Sequence, residues 1–359
     1  MRSSKRSLVW LLAVLATLGL VAGACGGSNS DSSSSTTAAT SDFDYSALSG
    51  TLNGSGATFP KAFYEEAIAG FKDVAKSVTV NYNAVGSGQG KKDLAAGTSD
   101  WAGSDSTVKD DEKANFKGPF LYFPTVAAPI TVSYNLSGVK SLQLSAPTLA
   151  KIFTGTITTW NDAAIAADNP GASLPSTAIT VAVRSDGSGT TSNFSKFLAA
   201  AAPTDFTLTP GDTVTWPKAQ AGKGNAGVAQ IVKETAGAIG YVDLSDALAT
   251  KLSTAAIKNK DGKFVAPTLE GATAALANAT VKDDLTYSAL NTAGVDAYPI
   301  TASTYVLVYA TPASNAKAIK GWLTFLLTEG QALAKDVDFA PLPETLRTKA
   351  LAQITQIQG

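Results

Sequence analysis

Histidine is absent from all 359 residues. Ser-His-Asp and Cys-His catalysis are therefore excluded, together with histidine metal sites and histidine pH switching. Cysteine occurs once, as Cys25, so no disulfide can close within the chain and thiolate metal centres are excluded as well. A metal would need oxygen ligands alone, and no loop carries the acidic spacing of a calcium site. Charge is scarce: 28 Lys and Arg face 29 Asp and Glu, a net charge of −1 with no basic run, which argues against nucleic-acid binding. Beyond the N-terminal region no apolar stretch is long enough to span a bilayer. Against 16% charged residues stand 45% apolar ones, the balance of a well-packed globular protein.

The N-terminus reads differently from the rest. Arg2, Lys5 and Arg6 precede a short apolar run, Leu8 to Val21, and the small residues Ala22, Gly23 and Ala24. This is the pattern of a secretory signal peptide over residues 1–24. The segment Leu20 to Cys25 resembles a bacterial lipoprotein box, with Ala22 where leucine is usual. That resemblance implies lipidation of Cys25; the alternative is an ordinary secreted protein. Residues 25–50 are rich in Ser, Thr and Gly and are expected to form a flexible tether. Roughly 310 residues remain, enough for two domains.

Short β-branched runs predict strands at Val78 to Val85, Ala128 to Tyr134, Ala178 to Val183, Ala238 to Val242 and Thr304 to Tyr309. Helical spacing follows Pro60 (Tyr64, Ile68, Phe71) and Ser314 (Ile319, Trp322, Leu323, Leu326), with further helices at Asn193 to Ala201 and Ala226 to Thr235. Alternating strands and helices predict an α/β fold, in which ligands bind where helices begin beyond the carboxyl ends of strands.

Three Gly-Ser-Gly tripeptides fall at such places: Gly54-Ser55-Gly56, Gly86-Ser87-Gly88 and Gly187-Ser188-Gly189. A glycine-rich turn opening a helix offers unpaired N–H groups and the positive end of the helix dipole, a ready anion site. Thr58 and Phe59, Ser87, and Ser188, Gly189 and Thr190 supply further hydroxyls and amides. Arg184 can grip two anion oxygens at once, with Asp186 positioned to hold it; the plainer reading of that pair is a surface ion pair. Asp105 has two readings. Either it caps a helix near Val108, or it accepts a hydrogen bond from an anion that carries a proton. Phosphate near neutral pH keeps an O–H; sulfate and molybdate do not. Facing a carboxylate, a proton-free anion would set lone pair against lone pair.

The segments Gly54–Pro60, Val85–Gly88, Ala102–Asp105, Phe153–Asp162, Arg184–Thr190, Gly222–Asn225 and Gly237–Val242 together resemble the phosphate-binding protein of bacterial high-affinity phosphate ABC transporters. The resemblance implies a two-lobed periplasmic-binding-protein fold of type II, with two crossovers between lobes and phosphate in the cleft. One lobe would comprise 51–126 plus 299–359 and the other 127–298. Carried over by motif, the ligand contacts are Thr58, Phe59, Ser87, Asp105, Arg184, Ser188, Gly189 and Thr190, and Asp186 partners Arg184. Gln89 stands where glycine or serine is frequent. The segment Thr154 to Asp162 shows no ligand chemistry and reads as packing around Trp160. The implied protein is a monomer without cofactor or metal, held on the outer face of the membrane by lipid, with permease subunits as partners. Three alternatives stand beside it: a phosphomonoesterase using Ser87 or Ser188, a receptor for another oxyanion, and a sensor or adhesion protein of the same fold.

Overall fold

The computed structural model describes residues 41–359. The expected signal peptide and Cys25 lie outside the described residues. Its central feature is one twisted sheet built from β1 (Gly50–Gly56), β2 (Val78–Ala84), β3 (Trp101–Ser104), β4 (Phe120–Tyr134), β5 (Thr180–Arg184), β6 (Gln220–Gly222), β7 (Ala238–Asp243) and β8 (Ile300–Tyr309). The strands run in the order β2-β1-β3-β8-β4-β7-β5-β6.

β4 joins two halves. Its first part, Phe120 to Pro129, pairs antiparallel with β8. Its last five residues, Ile130 to Tyr134, pair antiparallel with β7. On the far side of β8 lie β3, β1 and β2, with β1 parallel to both neighbours. On the far side of β7 lie β5 and β6, again parallel. The chain passes once between the halves within β4 and returns ahead of β8, which gives two lobes joined by crossing segments. From Tyr122 onward every residue of β4 is buried, as expected of a strand covered on both faces. Its first eight residues escape the sequence reading because Pro124 and Pro129 interrupt the β-branched pattern, and the strand accommodates Pro124 next to a register shift opposite Ser303 and Tyr305.

Each lobe has helices between its parallel strands: α1 (Lys61–Val74) and α2 (Ser87–Ala96) in one, α3 (Gly189–Ala201) and α4 (Gly224–Glu234) in the other. In α1, Phe63, Tyr64, Ala67 and Phe71 are fully covered, a stripe at helical spacing that packs on the sheet. The C-terminal α5 (Ala316–Leu327) buries Ile319, Trp322, Leu323 and Leu326 against the same lobe. Trp160 is fully buried, and its Nε1 donates to Gly237 O at 3.0 Å, so the Thr154 to Asp162 segment does pack around it.

Two sequence readings need correction. Gly54-Ser55-Gly56 is not a turn opening a helix; it is the end of β1, a central strand. Its composition hides this, because glycine and asparagine are poor strand formers. Glycine is needed there, since a Cβ on Gly54 would stand 2.1 Å from the Trp101 indole. The folded body also begins earlier than residue 51. Tyr45 and Leu48 are buried in the core, Phe43 packs against it, and Ser41 and Tyr45 hydrogen-bond to the Glu329 carboxylate. Among the described residues no helix is long and apolar enough to cross a membrane.

Candidate functional site: a donor-lined cleft between the lobes

The parallel strands of each lobe end together. Gly56 of β1 lies beside Ala84 of β2 and Gly103 of β3, and Arg184 of β5 lies beside Gly222 of β6. Five segments leave these strand ends and converge: Ala57 to Phe59, Gly86 to Gly88, Asp105 to Ser106, Ser185 to Thr190, and Lys223 to Asn225. The lobes touch there. The Gly88 N–H donates to Gly187 O at 3.0 Å, and Asn193 Nδ2 donates to Asp105 O at 2.6 Å.

Arg184 is buried at the end of β5. Its Nε donates to Asp186 Oδ1 at 2.9 Å, and Nη2 pairs with Asp186 Oδ2. Nη1 donates to Thr190 Oγ1 at 3.4 Å. A guanidinium has five N–H groups in a fixed fork; three are engaged, leaving two for a ligand. Burial alone would raise the Asp186 carboxyl, but hydrogen bonds and charge from Arg184, with the Gly224 N–H, hold it below the usual range. Arg184 is buried and Asp186 half-buried, so the pair is a clamp at the cleft and not a surface ion pair.

Ser188 caps α3, its Oγ accepting from the Thr191 N–H at 3.1 Å. That leaves the first amides of α3, at Gly189 and Thr190, among the donors a helix start cannot pair internally. Gly189 sits against the opposite lobe, where an added Cβ would fall 2.6 Å from both Asp105 Cβ and Ser87 Oγ. Phe59 buries its ring edge-on to Phe339 at 5.7 Å, so only its backbone N–H is available to the cleft. Gln89 turns along α2, its Nε2 donating to Asp93 Oδ1 at 2.7 Å.

Asp105 is the exception among these donors. It is 3% exposed and caps no helix, since the short helix at Asp110–Lys113 starts after Lys109. Ser87 Oγ donates to its Oδ2 at 3.3 Å, whereas its Oδ1 is enclosed and makes no hydrogen bond within 3.5 Å; the Thr304 hydroxyl, itself enclosed, also acts on this carboxylate. Burial pushes this carboxyl up to about 7, against the Thr304 hydroxyl, the Arg184 charge and Ser87, with Asp212 adding to the rise.

Sequence reasoning missed two parts of the site. Asn225 Nδ2 lies 3.2 Å from Thr58 Oγ1 and 3.3 Å from Thr190 Oγ1; the motif Gly222–Asn225 was visible, but not that it reaches both threonines. Lys91, on α2, is buried between Asp212 Oδ2 at 2.9 Å and Glu112 Oε2 at 3.2 Å. Ser106 Oγ also donates to Asp212, whose backbone carbonyl accepts from the Ser188 N–H. Nothing in the sequence distinguishes Lys91 or Asp212 from solvated charges. A cavity of about 270 Å³, lined by Thr58, Lys61, Asp186, Asn225 and Asp246, opens beside the clamp.

A two-lobed receptor with helix starts, hydroxyls and a clamped arginine aimed into one cleft is the architecture of a binding protein for a small oxyanion. Residues 32–329 match the family model described as a PBP superfamily domain. The phosphate-binding protein PstS of Xylella fastidiosa is 36% identical over 302 residues, 82% of each chain. That of Methanocaldococcus jannaschii is 35% identical, over 98% of this chain and 95% of its own. In three dimensions the phosphate-binding protein from Stenotrophomonas maltophilia superposes with a TM-score of 0.65 at 21% identity, covering 84% of this chain and 93% of that one. The chain belongs to the PstS phosphate-binding protein family.

Proposed function

We propose that this protein captures inorganic phosphate outside the cytoplasm and delivers it to the permease of an ABC importer. The relatives are phosphate-binding proteins by name. The observation that carries the reading to this chain is Asp105: a buried carboxylate set among donors, its Oδ1 without a hydrogen bond within 3.5 Å. An anion with its own O–H satisfies that acceptor while its other oxygens take the surrounding N–H and O–H groups. Thr58, the Phe59 N–H, Ser87, Arg184, Ser188 and the α3 amides at Gly189 and Thr190 are the donors, and Asp186 holds the guanidinium. The lobes comprise about 51–126 with 299–359, and 127–298, the first extended by the packed segment from Phe43.

Binding without turnover suits this site. Ser188 Oγ is engaged as a helix cap, and Ser87 Oγ donates to Asp105, with no histidine in the chain to serve as a base. Lipidation at Cys25 would keep the receptor beside its permease. Titration calorimetry on purified Cys25→Ser protein, with phosphate and then sulfate at constant ionic strength, tests the proposal. Saturable heat at one phosphate per chain and none with sulfate is expected. No heat with phosphate refutes it.

A further inference from the structure

Three hydrogen bonds around Asn225 have a consequence that reaches both threonines of the cleft. Thr58 Oγ1 accepts from the Asn225 backbone N–H and from Asn225 Nδ2, each at 3.2 Å. Thr190 Oγ1 accepts from Asn225 Nδ2 at 3.3 Å and from Arg184 Nη1 at 3.4 Å. A hydroxyl has two lone pairs and one proton. In both threonines the lone pairs are taken, so the O–H can only donate. The amide NH₂ has two hydrogens, one for each threonine. Asn225 is fully buried and sits at the start of α4, while Thr58 belongs to the other lobe. The arrangement therefore forms only when the lobes are closed.

We propose that Asn225 is a positioning residue that fixes the Thr58 and Thr190 hydroxyls as donors to the bound anion and ties that orientation to lobe closure. The inference rests on the phosphate reading above. A hydroxyl free to rotate spends part of its time presenting a lone pair to the anion. One held by two N–H groups is already oriented, which strengthens binding by preorganisation and not by added contact. Asn225 needs no contact with the ligand to do this.

A thermodynamic cycle tests it. Phosphate affinity is measured by calorimetry for wild type, Asn225→Ala, Thr58→Val, Thr190→Val and the two corresponding double variants. Neighbours that act through one another are non-additive. Asn225→Ala is expected to weaken phosphate binding about 10- to 100-fold in the wild-type background, and only about 3- to 10-fold once either threonine is valine, because Asn225 still holds the other one. Equal losses in all backgrounds would overturn the proposal and leave Asn225 a packing residue. Asn225→Asp, of the same shape, is measured in parallel and serves in the cycle if the alanine variant does not fold. It exchanges both N–H donors for acceptors, so wild-type affinity in that variant would also overturn the proposal. Failure of wild type itself to bind phosphate would strike the functional reading instead.

Discussion

Replacing Asp105 by asparagine tests the proposed selectivity and its structural cost together. The substitution keeps the shape of the side chain and removes the charge. In wild type the carboxyl is raised from an ordinary 3.8 to about 7 by burial. That difference corresponds to about 4 kcal/mol at 1.36 kcal/mol per tenfold change in proton affinity. The direction follows from proton counting. Below pH 4 or so both folded and unfolded forms hold the proton, and the group is neutral to stability. Between there and about 7 the folded form alone keeps it, so ligand-free stability falls as pH rises, and the loss is complete above about 7. Asparagine escapes this loss. Ligand-free Asp105→Asn should therefore unfold at higher denaturant than wild type at pH 8, and the two should converge near pH 4. Asp243, another buried carboxyl raised by burial, is present in both proteins and cancels in the difference. Selectivity should move the opposite way. A site built to pair with a ligand O–H rejects an analogue lacking it by about 10⁴ or more. An amide offers N–H donors to sulfate, so the phosphate-to-sulfate affinity ratio should fall by at least about 100-fold, mostly through tighter sulfate binding. Competition calorimetry at matched ionic strength reads the ratio, and urea titrations at pH 4.5, 6 and 8 read the stability. An unchanged ratio would refute the proton-acceptor role, and parallel stability curves would refute the burial argument.

Arg184→Lys should weaken phosphate binding at least about tenfold although the charge remains, because the fork that holds Asp186 and leaves two N–H groups for the ligand is lost; wild-type affinity by calorimetry would place Arg184 outside the binding set. Gly189→Ala should weaken binding about 10- to 100-fold, since the methyl would meet Asp105 Cβ and Ser87 Oγ at 2.6 Å and hold the lobes apart. Its ligand-free melting temperature should stay near wild type, and an equal fall in both quantities would point to misfolding instead. Lys91→Met leaves Asp212 and Glu112 without their shared cation. Breaking a buried pair costs about 3–5 kcal/mol, and here the loss falls on the closed form, because Lys91 and Asp212 lie on opposite lobes. A lower phosphate affinity is expected, with small-angle scattering showing a more extended ligand-free molecule; unchanged affinity and dimensions would show that the pair does not favour closure.

Much of the site was written locally. Arg184, Asp186, Ser188, Gly189 and Thr190 lie within seven consecutive residues at the end of a β-branched run, so a strand end, an arginine clamp and a capped helix start all follow from neighbours in sequence. Helices α1 and α5 were legible for the same reason, through their apolar spacing. β1 was not, because its glycines answer to the Trp101 ring and not to strand propensity. The packed segment from Phe43 to Leu48 was read as tether because its few apolar residues follow a long Ser/Thr-rich run. Their partners, Phe71 and Phe325, lie far along the chain.

Composition and motif by themselves determined the class of chemistry: no histidine and a single cysteine left oxyanion binding by amides, hydroxyls and one arginine as the readable function. Tertiary structure alone decided which acceptors are left unpaired, which charges meet across the lobes, and which amide bridges the two threonines. Those properties depend on burial and on distances between residues as far apart as Thr58 and Asn225. The energy of a polar group is set by what surrounds it, and the surroundings exist only once the two lobes have met.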